Sequence, residues 1–227
     1  LSHADLARSL DYDFHGCSAA DRETMCAWIA LEGVEAHAAD LTVTVGGQHA
    51  LLSAIGALTR PGEAVFAEAL TYPGMKLAAA AIDRRVESLP IDAEGLIPEA
   101  LEKALAARPG AVIYGMTTHH NPTTATMPVA RRETIAAILR RHDGWFVEDG
   151  IYSFLAEPTP PPLWRFAPER VVYVTSLSKS LAPGFRTGFA VSPPEITARV
   201  AAAARAAATM PPAALARAAA DLIGSGA

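Results

Sequence analysis

The sequence predicts an α/β fold with a mostly parallel sheet. Two observations carry this. Short β-branched or apolar runs alternate with amphipathic helical stretches, the pattern of parallel strands joined by helical crossovers. The 227 residues, 51% hydrophobic and 19% charged, supply a substantial core for one large domain or one and a half.

The elements follow in order. A helix is expected near 20–32, then a strand at 41–45 (LTVTV) and a helix at 48–59 entered through two glycines. A strand at 64–68 (AVFAE) leads to Tyr72-Pro73, which holds the chain extended before a helix near 73–82. Strand 85–89 (RVESL) precedes a helix at 95–107, and strand 111–115 (AVIYG) precedes the Asn121-Pro122 turn and a helix at 129–141. Strand 145–149 (WFVED) is followed by the proline-rich "EPTPPPLW" (157–164), expected as an extended surface loop. Strands 170–175 (RVVYVT) and 186–191 (RTGFAV) come last, with helices at 194–208 and 213–223. Ser192-Pro-Pro-Glu195 has the spacing of a capping box for the first of these helices.

Bulk properties narrow the function. The net charge is −5 with both signs scattered, so direct nucleic-acid binding is not expected of this chain. The alanine-rich stretches are too short and broken to span a bilayer, and "LSHADLARSL" lacks the apolar centre of a signal peptide. Cys17 and Cys26 form no motif, which fits a reducing cytoplasm. The first residue is Leu, so a piece of a longer chain is expected.

In open α/β sheets, ligands gather at the carboxyl ends of strands. After 41–45 comes "GGQHALLSAIGAL", either an anion site at a helix N-terminus or a plain tight turn. Tyr72 can stack on a flat ligand or cap the core. In "MTTHHNPTTATMP", Asn121 can present its amide to a ligand oxygen. His119 and His120 lack partners at metal-ligand spacing and read as ordinary polar loop residues. Asp149 ends a buried strand and therefore needs a cation, from a ligand or a structural ion pair, and Tyr152 follows three residues later.

"SLSKSLAPGFRTG" (176–188) holds Lys179, one of three lysines against sixteen arginines. Behind a buried strand and seven residues before Arg186, its amine is expected to be desolvated and nucleophilic toward carbonyls. Ser176 and Ser178 share a side if that segment is extended, and Arg186 offers a planar fork to phosphate oxygens. An amine, an anion cradle, a buried acid, an Asn turn and a flat aromatic together match the needs of pyridoxal 5′-phosphate (PLP).

At these residues the sequence resembles the fold-type I PLP-dependent enzymes, aminotransferase class I and II. Within them it is most similar to the aminotransferase-like domain of MocR-type, GntR-family regulators. The likeness lies in "YDFHG" (12–16), "TVGGQHAL" (44–51), "PGEAVFAEALTYPG" (61–74), "HNPTTATMP" (120–128), "VEDGIY" (147–152) and "SLSKSLAPGFRTGF" (176–189). It implies a three-layer α/β/α sandwich around a mainly parallel seven-stranded sheet with the last strand reversed. It implies that Lys179 forms the Schiff base, that Asp149 pairs with the pyridine nitrogen, and that Asn121 and Tyr152 contact the phenolic oxygen. Tyr72 would stack on the ring. Gly47, Gln48, Ser176, Ser178 and Arg186 would hold the phosphate, and Tyr12 would reach the phosphate of a second subunit in a homodimer.

Three departures stand out: Thr124 replaces a glycine, Gly150 replaces an acid, and Gly47 replaces a common serine. By the same resemblance, 1–40 is a helical lead-in, 41–208 the PLP-binding large domain, and 209–227 the start of a link to a missing C-terminal small domain. The implied function is amino transfer between an amino acid and a 2-oxo acid. The alternatives are a PLP-binding effector domain of a transcription regulator with little turnover, another PLP reaction, or an interaction protein without cofactor.

Overall fold

The computed structural model describes residues 11–158 and 160–226. Expected residues 1–10 of the lead-in therefore lie outside the described residues. The chain forms α1 (Ala19–Ala30), β1 (Leu41–Thr44), α2 (Gly47–Leu58), β2 (Ala64–Glu68), α3 (Pro73–Ala81), β3 (Arg85–Leu89), β4 (Ile91–Asp92) and β5 (Gly95–Leu96). It continues through α4 (Pro98–Ala107), β6 (Val112–Gly115), α5 (Val129–Arg141), β7 (Trp145–Asp149), α6 (Leu163–Phe166) and β8 (Val171–Ser176). The last elements are α7 (Leu177–Ser180), β9 (Gly188–Val191), α8 (Pro194–Ala208) and α9 (Ala213–Ser225).

Seven strands form one sheet in the order β1-β9-β8-β7-β6-β2-β3. β2 pairs in parallel with β3 and β6, β6 with β7, and β7 with β8. β9 runs antiparallel to both β8 and β1, so β1 points the same way as β8. The reversed last strand is as expected.

Strand periodicity sorts the core into layers. Val65, Ala67, Val112, Tyr114, Val147, Val172, Val174 and Ala190 pack against α2, α3 and α8. Phe66, Ile113, Phe146 and Val171 face the other way, onto Leu101 and Leu105 of α4 and Ile135 and Leu139 of α5. On that same side Val43, Tyr173, Phe189 and Val191 meet α1 and α9. The sheet is therefore sandwiched between two helical layers. Each fully buried Leu, Val or Phe contributes about 1.5–3 kcal/mol, enough for the central strands to carry continuous apolar runs.

Local details depart from the expectations. The helix expected from 95 starts at Pro98, because 91–96 folds into the β4–β5 hairpin. The proline-rich connection is not extended throughout: Leu163–Phe166 forms a helical turn with Leu163 buried. The expected capping box before α8 is absent. Pro193 is the N-cap, no side chain caps the helix, and the Ser192 hydroxyl bonds Thr197 Oγ1 at 3.0 Å. Consecutive prolines push Ser192 one position outside the cap. A capping box does open α1, where Ser18 Oγ accepts from Asp21 N at 3.1 Å and Asp21 Oδ2 accepts from Ser18 N at 3.1 Å.

Candidate active site

The topology brings the shortlisted residues to one sheet edge. β1, β2, β6, β7 and β8 all end there, and the antiparallel β9 begins there. Asp149 and Ser176 are the last residues of β7 and β8, Gly47, Tyr72 and Asn121 follow the ends of β1, β2 and β6, and Arg186 precedes β9.

Three of these strand ends build a cradle. Gly46 turns the chain into α2 with φ +79, and a Cβ there would lie 2.7 Å from Arg186 Nη2. Only glycine combines that left-handed backbone with so close an approach. Arg186 Nη2 donates to Val45 O at 3.2 Å, which fixes the guanidinium over the turn. No side chain caps α2, and a Cβ on Gly47 would lie 3.5 Å from Ser176 Oγ. Gly46, Gly47, Ser176 and Arg186 thus surround an uncapped helix N-terminus, where backbone N–H groups and the dipole favour an anion.

Two expectations about this cradle change. Leu177–Ser180 is a helical turn rather than an extended segment, and Ser176 caps it by accepting from Ser178 N at 3.3 Å. The serines therefore do not share one side of a strand. Gln48 turns its Nε2 away to Gly74 O at 2.6 Å, leaving its Oε1 buried without a partner.

Asp149 is 7% exposed at the end of β7. Among the described residues none supplies the cation expected beside it. Tyr114 donates its hydroxyl to Oδ2 at 2.7 Å, and Ile151 N donates to Oδ1 at 3.1 Å. Burial raises the proton affinity of Asp149, while these two bonds oppose the rise. Burial also raises the Tyr72 hydroxyl, and Asp149 and Tyr152 add to it, which places the three groups in one neighbourhood. Tyr72 and Tyr152 both pack against the core beneath. Tyr114 was missed from sequence. Its signal was a polar-tipped aromatic inside a buried strand, which needs a hydrogen-bond partner.

The Asn121 turn is braced from below. His120 is 1% exposed, not an ordinary loop residue, because its Nε2 lies 3.1 Å from Glu68 Oε2 and its Nδ1 2.8 Å from Thr123 Oγ1. Glu68 also accepts from Met116 N at 3.1 Å. Thr124, standing where a glycine was expected, adopts φ 61. Below this turn lies Arg132, completely buried and unflagged by the sequence. It donates to Met127 O, Thr117 O, Thr117 Oγ1, Thr118 Oγ1 and Pro161 O.

The remaining residues stand further out. Lys179 is exposed in the described chain, so the expected desolvation is not provided by its surroundings here. The reason is local: it projects from the short α7 turn rather than from the strand. Tyr12 is 78% exposed and stacks on Phe14 at 6.0 Å rather than on the cradle. Among the described residues no cluster of His, Cys, Asp or Glu is placed to hold a metal, and no helix is long and apolar enough to cross a membrane.

This donor set fits PLP. A glycine turn held against Arg186 at an uncapped helix N-terminus, with a buried carboxylate that has no cation among the described residues, matches an anionic ligand carrying a protonatable ring.

Known proteins share this fold and sequence pattern. The solved structure of LysN, an α-aminoadipate aminotransferase from Thermus thermophilus complexed with N-(5′-phosphopyridoxyl)-L-leucine, superposes with TM-score 0.87 at 28% identity. That match covers 96% of this chain and 56% of LysN. The aminotransferase swnA of Metarhizium robertsii is 38% identical over 165 residues, 66% of this chain and 33% of that protein. The HTH-type transcriptional regulator TauR of Rhodobacter capsulatus is 34% identical over 171 residues, 74% of this chain and 34% of that protein. The chain thus spans about a third of the length of these two relatives. The sequence profile for aminotransferase class I and II matches residues 4–226, and with the sheet order and the edge cradle it places the chain in that family.

Proposed function

We propose that this chain is the cofactor-binding large domain of a PLP-dependent aminotransferase, acting between an amino acid and a 2-oxo acid. The observation that carries the reading is the pairing of the Gly46–Arg186 cradle with a cation-free buried Asp149 at the same sheet edge. When bound, PLP supplies an aldehyde for the amine and a ring that accepts the electron pair released at Cα.

The chain's residues then divide the work. Gly47 and Gln48 backbone N–H groups, Ser176, Ser178 and Arg186 bind the phosphate. Asp149, held by Tyr114, would keep a proton on the pyridine nitrogen. Asn121 and Tyr152 would contact the phenolic oxygen, and Tyr72 would stack on the ring. Lys179 would hold the aldehyde, and its amine, once released, would serve as the group that carries the proton at the substrate Cα. General acid–base transfer of this kind contributes roughly 10²–10⁴-fold. Tyr12, exposed here, would reach the phosphate of a second subunit in a homodimer. Residues 41–208 form this domain, 1–40 lead into it, and 209–227 begin the link to a C-terminal small domain. The two free buried cysteines suit a cytoplasmic setting.

The likeness to TauR supports a second reading, an effector domain of a regulator that binds PLP with little turnover. The test is borohydride reduction of the PLP-loaded protein followed by peptide mass analysis. Cofactor mass on Lys179, absent in Lys179→Ala, supports both readings. The same mass elsewhere, or none, sinks them. Amine transfer to a 2-oxo acid by the full-length parent selects the enzyme.

A further inference from the structure

Behind the site lies a carboxyl group that this mechanism does not use. Glu32 follows α1 and is 3% exposed. Tyr173, completely buried on β8, donates its hydroxyl to Glu32 Oε2 at 2.7 Å and lies 3.2 Å from Ser153 Oγ. With its one proton given to the carboxylate, the Tyr173 oxygen is left to accept from Ser153. Ser153 N in turn donates to Gly150 O at 2.9 Å. A Cβ on Gly150 would lie 1.9 Å from Tyr173 Oη, so the tyrosine tip fills the space that a side chain at 150 would take. The segment between Asp149 and Ser153, which carries Tyr152, is therefore seated on the Tyr173 hydroxyl.

The other Glu32 oxygen is left over. Oε1 is buried without a hydrogen-bond partner, and so is Thr175 Oγ1. The Thr175 hydroxyl is near enough to favour the charged carboxylate but out of bonding alignment. A charge on this carboxylate would be buried with one oxygen unpaired, whereas the neutral acid still accepts from Tyr173, so the neutral form suits these surroundings. We propose that Glu32 is a proton-dependent positioning residue: neutral, it is buried at little cost and leaves the 150–153 segment that presents Asp149 and Tyr152 seated on Tyr173; ionised, it accepts more strongly from Tyr173, but its buried charge has no cation beside it and the whole seat opens more readily.

Burial accordingly pushes the Glu32 carboxyl up to about 7, the Tyr173 and Thr175 hydroxyls oppose the rise, and Asp149 adds to it. Glu148 acts on Tyr173 from β7, and burial lowers Arg132 while Glu148 and Tyr173 oppose that fall. No lysine, arginine or histidine among the described residues contributes to Glu32.

The inference rests on the PLP reading for its consequence but not for its test. Amide hydrogen exchange of the cofactor-free chain, corrected for intrinsic rates, is followed at 148–156 at pH 6 and pH 8. Wild type loses several-fold protection there at pH 8, and Glu32→Gln holds it at both. Glu32→Leu and Tyr173→Phe lose about tenfold at both, with β2 and β6 unchanged. In parallel, wild-type PLP affinity falls relative to Glu32→Gln between pH 6 and pH 8. Identical pH responses in wild type and Glu32→Gln overturn the proposal, and because Gln keeps the Tyr173 bond the comparison survives any failure of the Leu variant to fold. Borohydride mass missing from wild-type Lys179 overturns the PLP reading while the exchange result still stands.

Discussion

Replacing Arg132 with Met removes the guanidinium that joins three segments under the site. Its five acceptors lie 2.7 to 3.1 Å away, on Thr117, Thr118, Met127 and Pro161. Thr117 passes the interaction on by donating its hydroxyl to Glu148 Oε1, and Glu148, 1% exposed, also accepts from Leu163 N and Trp164 N at 2.8 Å each. Met fills much of the stem volume but leaves the Glu148 charge buried without a cation. Removing one partner of such a system costs about 3–5 kcal/mol. For a chain of this size that is a fall of about 6–20 °C in Tm. The sign of the pH dependence follows from Glu148. Burial raises its proton affinity, and Arg132 opposes the rise. Without Arg132 the folded-state value climbs further above the unfolded one, so the stability that protonation contributes at low pH is lost as pH rises through that widened window. The deficit of Arg132→Met is therefore larger at pH 8 than at pH 5. Urea denaturation of the cofactor-free protein at both pH values measures it, and Arg132→Met with Glu148→Gln recovers part of the loss. A deficit under about 1 kcal/mol, equal at both pH values, refutes the account of a buried charge left alone.

Two further outcomes are expected. Thr124 holds a left-handed backbone that a β-branched residue resists, so Thr124→Gly raises stability by about 1 kcal/mol, read as a shift in urea midpoint at constant m. Asp149 carries a raised proton affinity from burial, so its contribution is lost as pH rises through the folded-state value. Asp149→Asn keeps an acceptor for Tyr114, gains stability relative to wild type as pH rises toward 8, and loses amine transfer. A thermal melt series against pH, beside a transfer assay on the full-length parent, checks both halves.

The sequence by itself determined the strand ladder and the identity of the edge residues. Runs such as LTVTV, AVIYG and RVVYVT read as strands, and each is followed by residues that a core would reject. That logic is local, so it reached Asp149, Asn121, Tyr72 and the two-glycine turn. It could not assign partners. Tyr114 meets Asp149 across 35 positions, Tyr173 meets Glu32 across 141, and Arg132 serves loops on two sides of its own helix. The sequence asked for a cation beside Asp149 without saying what holds the carboxylate in place, and the fold supplies Tyr114 for that. It placed Gln48 at an anion, and the fold turns the side chain to Gly74. Lys179 was expected to be desolvated by its strand, and the fold sets it on an exposed turn. Burial is written in each segment's own periodicity, but which polar tips meet inside depends on how distant strands stack, and only the assembled sheet sets those distances.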